Sequence, residues 1–500
     1  MYVLSTTEMS EIDRRMINEY GVSGAMLMEN AGKAVVNGVE DIYEVSGKRV
    51  LVACGKGNNG GDGYVAARLL YEKGAKVYLL MSEETDDISG DSRLMLEQVP
   101  KEVERINTSF AKEQEFDIAI DAVFGTGFKG AAEGKYAEII KRVNACKTVF
   151  AIDIPSGVNG NTGVCEGECV KADYTFALCR EKLGHRLFPG KLMCGKILVC
   201  DIGITDEAVN AQSPKIELLE KDYMDTHLRR LLPTDHKGDN GKLVIIGGSL
   251  GMAGSVCLAA QAALRAGVGL CYVIVPKSIY GVVAGKLTEA MVIPVEDGLN
   301  HCICPLDIEK MKRYLEKADA IVMGCGMSFV DETKQTVSKI AKLIKVPIVV
   351  DADGINALSE RHDFFNECGG KIVITPHNME MARVSGCSLE EIKANRIEKA
   401  MSFAREKSCI VALKGSGTFV TDGKRGYINT SGNEGMATGG SGDALSGVIG
   451  AFLACGMEPL KATGCAVYAH GMAGDLAAER LSKRGMIASD IINSLPYCFK

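Results

Sequence analysis

The sequence predicts an α/β protein with two mostly parallel sheets, each flanked by helices. Three observations predict it. Short apolar runs alternate with longer segments whose apolar residues recur at helical spacing, along most of the 500 residues. The 57 glycines gather just after those runs, where α/β enzymes place ligand sites. One polar stretch, "VCDIGITDEAVNAQSPKIELLEKDYMDTHLRRLLPTDHKGDNGK", closes one such pattern before another opens. The boundary is expected near 215, giving domains 1–215 and 216–500.

In the first domain, strands are expected at 49–53, 76–81, 117–121, 148–153, 173–178 and 197–202. Helices are expected at 8–19, 24–45, 62–73 and 132–144. "EMSEIDRRMINEYG" shows the helical period and stops at Gly21. In the second domain, strands are expected at 243–247, 271–275, 320–324, 347–351, 371–375, 409–413 and 417–421. Its helices are expected at 253–266, 331–344, 379–384, 390–406, 441–455 and 459–482.

Composition narrows the class. Hydrophobic residues make up 46% and charged residues 24%, which excludes wholesale disorder. A net charge of -7 without a Lys/Arg block argues against nucleic acid as the main partner. No apolar stretch is long enough to span a bilayer, and no signal peptide is expected from "MYVLSTTEMSEIDRRM". The 18 cysteines form no C-x-x-C pair, so a zinc site is not expected and a reducing cytoplasm is.

Three oxygen-rich strand ends mark the first domain. "CGKGNNGGDGY" (54–64) has the glycines of a dinucleotide loop, leading into a helix expected to start near Asp62. "IDAVFGTGFKG" (120–130) ends a strand at Asp121, and "AIDIPSGVNG" (151–160) ends one at Asp153. Any one of them could be a simple turn; three in one sheet favour a site. Asn59, Asp121 and Ser156 are hard oxygen donors suited to a group I or II cation. Asp153, the other carboxylate at these tips, is the candidate for proton transfer. No basic or aromatic residue is evidently placed for hydride transfer, and the ribose-binding acid of a redox fold is not clear, so a dehydrogenase is disfavoured.

"GNNGGDG", "DAVFGTG" and "DIPSG" together resemble the signature of the NAD(P)H-hydrate epimerases. The resemblance implies a Rossmann-like, three-layer αβα domain that interconverts the R and S forms of hydrated NADH and NADPH (NADHX, NADPHX) at nicotinamide C6. It implies K⁺ held by Asn59, Asp121 and Ser156. It places the hydrate against Asn58, Asn59, Gly60, Gly61 and Asp62. It adds Gly125, Thr126, Gly127, Phe128, Lys129, Gly130 and Ala131, with Tyr136 and Asp153.

In the second domain the strongest stretch is "NEGMATGGSGDALSGVIGAFLACG" (433–456), a glycine cluster running into an apolar helix. Its N–H groups suit a phosphate, and Asp443 in the first turn is a plausible base for a hydroxyl. "LKGSGTFVTDG" (413–423) reads as a hairpin that could touch a nucleotide through Lys414. "VVDADGINAL" (349–358) puts Asp351 and Asp353 at a strand end, as metal or loop-capping carboxylates. His377 in "TPHNMEMARV" (375–384) precedes a helix, where a lone histidine is usually structural.

With "DHKGDNGKLVIIGGS" and "AALRAGVGL", these motifs resemble the ADP- or ATP-dependent NAD(P)H-hydrate dehydratases, within the ribokinase-like superfamily. The resemblance implies that the C6 hydroxyl of the S-hydrate is phosphorylated, with Asp443 as base, and that phosphate is then eliminated. Ser255, Gly326, His377 and Asp443 match hydrate-contacting positions. Lys414, Gly415, Ser416, Gly417 and Thr418 match nucleotide-contacting positions. So do Asn433, Glu434, Gly435, Met436, Ala437, Thr438, Gly439, Gly440, Ser441 and Gly442. Mg²⁺ is implied with the nucleotide, and ADP is expected because the fusion resembles the prokaryotic form. "PHNME" lacks the turn glycine of many relatives, which is expected to shift the loop after His377. The combined expectation is a bifunctional, cytoplasmic, homo-oligomeric repair enzyme that acts on small molecules, with neither nucleic acid nor membrane as partner. The rivals are a hydroxymethylpyrimidine- or hydroxyethylthiazole-type kinase in the second domain and a non-catalytic dinucleotide-binding module in the first.

Overall fold

The computed structural model describes residues 1–361 and 363–499. The chain divides into two compact units, Met1–Ile216 and Glu217–Lys500.

The strands of the first unit are β1 (Arg49–Cys54), β2 (Lys76–Met81), β3 (Glu104–Ile106), β4 (Ile118–Ala122), β5 (Ala131–Ala132), β6 (Thr148–Ile152), β7 (Glu166–Gly167), β8 (Tyr174–Leu178) and β9 (Lys196–Cys200). Seven of them form a parallel sheet in the order β3-β2-β1-β4-β6-β8-β9, and β5 pairs with β7 separately. Val50, Val52 and Cys54 enter one core with helices Thr6–Asn18, Gly24–Glu40 and Asn58–Glu72. Leu51 and Ala53 enter the other, with helix Gly134–Asn144. Such alternation makes the expected three layers, and burial on both faces accounts for the continuous apolar runs. From β1 the chain steps outward to β3, then returns to β4 on the other side. The order therefore reverses between β1 and β4.

The second sheet contains β10 (Ile216–Leu219), β11 (Lys242–Ile246), β12 (Leu270–Pro276), β13 (Met291–Val295), β14 (Ala320–Met323), β15 (Ile348–Val350), β16 (Ile372–Ile374), β17 (Ile410–Leu413), β18 (Phe419–Thr421) and β19 (Gly426–Asn429). Its order is β10-β19-β18-β17-β16-β15-β14-β11-β12-β13, reversing between β11 and β14. From β13 to β17 the pairs are parallel, and β17-β18-β19 form antiparallel pairs. Helix Ser441–Ala454 packs hard against helix Ala253–Arg265: a Cβ added at Gly447 would lie 2.1 Å from the Ala259 carbonyl oxygen.

Some elements differ from expectation. The helix expected from 62 starts at Asn58, so the asparagines of the glycine loop lie in its first turn. The helix expected over 24–45 ends at Glu40. The expected helix 390–406 is two, Leu389–Ala394 and Arg396–Glu406, because Asn395 leaves helical backbone angles (φ -134°, ψ 48°). β13, which contains Pro294, was not expected. The proline is tolerated because β13 is a sheet edge. Short helices such as Gly90–Glu97 and Ala488–Ser494 were also not expected. Among the described residues no helix is long and apolar enough to cross a membrane.

The Gly447 contact gives a test. Gly447→Ala should destabilise the second unit by about 1–3 kcal/mol through overpacking. Gly281→Ala, in a helix where the added Cβ meets nothing within 4 Å, should be neutral or stabilising. Urea unfolding of the two variants measures the contrast.

Candidate functional site

In the first unit, a cavity of about 570 Å³ lies at the C-terminal ends of β1, β4 and β6. Gly57 caps helix Asn58–Glu72, so the free first-turn N–H groups sit at the glycine loop, one turn earlier than expected. The helix can start there because residue 60 is glycine: a Cβ would come 1.9 Å from the Gly55 carbonyl oxygen. Asn58, Asn59 and Asp62 line the cavity, as do Gly125 to Lys129, Tyr136 and Asp153; Gly60, Gly61, Gly130 and Ala131 are not among its lining residues. Phe124 stacks on Phe128 at 4.3 Å and meets Tyr136 at 4.8 Å, making one wall aromatic. The Tyr136 hydroxyl is fixed by a hydrogen bond to Glu83.

Asn59, Asp121 and Ser156 come together behind this wall. Asp121 is fully buried and accepts from the Ser156 N–H (2.7 Å) and hydroxyl (2.6 Å). The Ser156 Oγ accepts in turn from the Phe124 N–H at 2.8 Å, and Asn59 donates Nδ2 to the Phe124 carbonyl at 3.0 Å. Burial pushes the Asp121 carboxyl up to about 6, against the hydrogen bonds from Ser156 and Val123. Among the described residues no cationic side chain pairs with it. A buried carboxylate among oxygen donors, with no protein cation, has the chemistry of a hard-cation site.

Asp153 sits at the end of β6 with a left-handed backbone (φ 63°), its N–H donating to the Phe176 carbonyl at 2.9 Å. Its carboxylate pairs with Lys182, whose side chain is fully buried and also donates to the Leu178 carbonyl at 2.7 Å. His185 Nδ1 accepts from the Lys182 N–H at 3.0 Å. This leaves the proton on Nε2, which donates to the Asp153 carbonyl at 2.8 Å. Burial, then the Lys182 charge, lower His185 to about 4.

One expectation is corrected here. Asp153 is not the only other carboxylate: Asp62 is 7% exposed, and Asp13 reaches the cavity from helix Thr6–Asn18. Lys182, which the sequence reading did not single out, also lines the cavity, locked to Asp153. Lys182 and His185 lie in "REKLGH", the run just after β8, where a closer reading of strand ends could have found them. Asp13 carries no local signal.

In the second unit the reversal point gathers Asp443, Asp351 and Cys325, with ligand atoms within 4.8 Å of one another. Gly440 precedes helix Ser441–Ala454 in a left-handed conformation (φ 88°), and a Cβ at Gly439 would meet nothing within 4 Å. The cradle is open at Gly439, whereas a Cβ at Gly440 would lie 2.3 Å from Leu258, and Asp443 stands in the first turn of the helix. Burial and the neighbouring Asp351 raise Asp443 to about 6, while hydrogen bonds with Cys325 and Ser255 oppose. Ser255 therefore touches Asp443, and Gly326 lies beside Ser255: a Cβ there would be 3.0 Å from the Ser255 Cβ. His470 is buried, its Nε2 has no hydrogen-bond partner among the described residues, and burial lowers it to about 4.

Lys414 is not a free nucleotide contact. It donates to Asp351 at 2.7 Å and lies 3.9 Å from the buried Glu380. Ser446 donates to the other Asp351 oxygen at 2.8 Å. Burial raises Asp351, but Lys414 and these hydrogen bonds bring it below the usual range. Asp353 caps a loop, accepting from the Ser328 N–H at 2.9 Å. His377 caps helix Asn378–Ser385, with Nδ1 accepting from Met379 and Glu380, and its ring is half exposed. Asn378 opens this helix directly after His377. Gly415, Ser416, Gly417 and Thr418 form the turn between β17 and β18, closed by the Thr418 hydroxyl on the Gly415 carbonyl at 3.0 Å. Asn433 caps the turn Glu434–Met436 and bonds Asp475 at 2.8 Å. Glu434 pairs at the surface with Lys483, and Met436 packs towards Gly474. Ala437, Thr438 and Ser441 continue from there into the open glycines.

Residues 243–497 match a family model described as NAD(P)H-hydrate dehydratase, and residues 24–184 match one described as YjeF-related protein N-terminus. A bifunctional NAD(P)H-hydrate repair enzyme of Moorella thermoacetica is 38% identical over 100% of this chain and 97% of its own length. The chain belongs to the bifunctional NAD(P)H-hydrate repair enzymes. Among solved structures, a ribokinase-like superfamily protein of Enterococcus faecalis gives a TM-score of 0.50 at 25% identity, covering 57% of this chain and 95% of that one. An ADP/ATP-dependent NAD(P)H-hydrate dehydratase of Bacillus subtilis, co-crystallised with ATP and Mg²⁺, gives 0.50 at 25%, covering 56% and 97%. Membership of this repair family makes the chain a bifunctional enzyme and disfavours the kinase rival.

The buried histidines supply a test. In ¹⁵N-histidine NMR, His185 and His470 should remain neutral at about pH 5.5, where a free imidazole is mostly charged. His185 should show the Nε2–H form; a charged His185 ring at that pH would contradict the hydrogen-bond assignment.

Proposed function

We propose that Met1–Ile216 interconverts R- and S-hydrates of NADH and NADPH, and that Glu217–Lys500 dehydrates the S form with ADP, giving AMP and phosphate. ATP is the alternative donor. The observation that carries the reading is the pair of reversal points, each with first-turn N–H groups beside acidic side chains.

In the first unit, Asn58 to Asp62 and Gly125 to Ala131 receive the hydrate, with Tyr136 on the aromatic wall. Asp153, ion-paired with Lys182, handles a proton. Asn59, Asp121 and Ser156 would hold K⁺, which supplies positive charge to offset Asp121 beside the phosphate-binding loop.

In the second unit, Gly439 to Gly442 present N–H groups to the transferring phosphate, while Asn433 to Thr438 and Gly415 to Thr418 flank the nucleotide. Lys414 acts through Asp351, holding the floor beneath Asp443. Asp443 takes the C6 hydroxyl proton as that oxygen attacks phosphorus and AMP leaves. Phosphate then departs from C6, driven by the N1 lone pair, and loss of a C5 proton restores the double bond. Ser255, Gly326 and His377 adjoin the hydrate. Mg²⁺ would be held mainly by phosphate oxygens, because Asp351 is already neutralised by Lys414 and Asp353 is used as a cap. A cytoplasmic location and a homo-oligomer accompany this reading.

The direct test follows NAD(P)H absorbance from a mixed-epimer hydrate, with ADP or ATP, with and without K⁺. Complete recovery with ADP is expected, and a stable phosphorylated product without NAD(P)H would refute dehydration. Asp443→Asn should lower dehydration by about 10²–10⁴-fold. In the parent, kcat for dehydration should rise as pH passes through about 6 and then level off, because the base must be ionised.

A further inference from the structure

The Asp153–Lys182 pair is one acid–base station, but inversion at a carbon bearing a hydroxyl needs two proton transfers. C6 of the hydrate is bonded to N1. When an acid protonates its hydroxyl, the C–O bond breaks, water leaves and the N1 lone pair forms C6=N1, making C6 planar. Water then adds to the other face, gives one proton to a carboxylate and restores the C–O bond with inverted configuration. One proton is given and one is taken, with no change in oxidation state.

We propose that Asp13 is a catalytic acid–base residue of the epimerisation, working with Asp153; this rests on the epimerase reading of the cavity. Met9, Ser10 and Asp13 lie on one face of helix Thr6–Asn18 and line the same cavity as Asp62, Asp153 and Lys182. The helix is fixed to the site from both directions. Leu4 bridges Lys182, the Leu4 N–H donates to the Glu181 carbonyl at 2.9 Å, and the Leu183 N–H donates to the Leu4 carbonyl at 3.1 Å. From the Asp153 loop, Asn161 accepts from the Thr6 N–H at 2.8 Å and donates to its hydroxyl at 2.9 Å. The Ser5–Glu8 capping box then sets the helix start. Placing a carboxylate in a cavity from a helix tied this firmly to Lys182 has no packing purpose.

The titratable groups that interact with Asp13 are Asp62 from helix Asn58–Glu72, Asp153, Lys182 and Cys179. Asp13 forms no ion pair among the described residues. Burial raises its carboxyl to about 6, with Lys182 opposing and Asp153 adding to the rise. Burial, Asp153 and Asp13 raise Asp62 further still. Asp153 is held as an ion pair, and Asp13, which lines the cavity from the helix tied to Lys182, is the carboxyl assigned to the departing hydroxyl.

The experiment uses the full-length protein and one hydrate epimer, measuring conversion above the spontaneous rate. Asp13→Asn should lower kcat by about 100-fold or more, with KM little changed, and Asp13→Glu should restore part of it. The parent's fall in kcat as pH rises through about 6 should disappear in Asp13→Asn. In H₂¹⁸O, each inverted molecule should gain one solvent oxygen at C6, and retention of the original oxygen would overturn the step as written. ADP-dependent dehydration of S-hydrate by the same preparation reports that the variant is folded. If Asp13→Asn keeps parental kcat while Asp153→Asn loses it, the assignment of Asp13 fails. If Asp153→Asn is also parental, the epimerase reading of the cavity fails instead. A raised KM with no rescue by glutamate would show a merely structural role and overturn the proposal.

Discussion

A parallel strand buried on both faces has nowhere polar to point except its ends. Both sheets of this chain obey that constraint, and most of their chemistry follows from it. β1 and β4 send alternate side chains into two apolar cores, so the oxygen-bearing residues gather beyond Cys54 and at Asp121. At the order reversal two neighbouring strands diverge to opposite sides of the sheet, and the space between their ends becomes a crevice. Helix N-termini open into the same places, so N–H donors and acidic side chains meet there.

Within these crevices, charge is handled in two ways. Lys182 with Asp153, and Lys414 with Asp351, are buried ions that persist because each has a partner and further hydrogen bonds. Asp13, Asp62 and Asp443 share the burial but have no ion pair among the described residues, and their carboxyls shift upward. Each site thus holds a fixed ion beside a group that can exchange a proton near neutrality.

Much of this was legible in the sequence. Glycines at strand ends need close backbone approach, and the 1.9 Å clash that a Cβ at Gly60 would make shows why no other residue stands there. Asn59, Asp121 and Ser156 were readable as one donor set because each sits at such an end. The start of helix Asn58–Glu72 was less legible, since asparagines and glycines read as loop until Gly57 is seen to cap them. Lys182 escaped because its role is set by a strand crossing near Leu4, far away in sequence. Asp13 escaped for the opposite reason: in an amphipathic helix it looks like any solvent-facing charge. His377 was expected to contact substrate, and the capping of Met379 and Glu380 gives it a second, local reason to be there.

The ties that run from Leu4 and Thr6 to Lys182 and Asn161 hold in place the helix that brings Met9, Ser10 and Asp13 to the cavity wall. For anyone preparing this protein, the amino end is then a poor handle. An affinity tag butted against Tyr2, or trimming to a tidier start, would alter the wall itself while every glycine motif remained intact. Glu217–Lys500 has a core of its own, and none of these ties involves its residues.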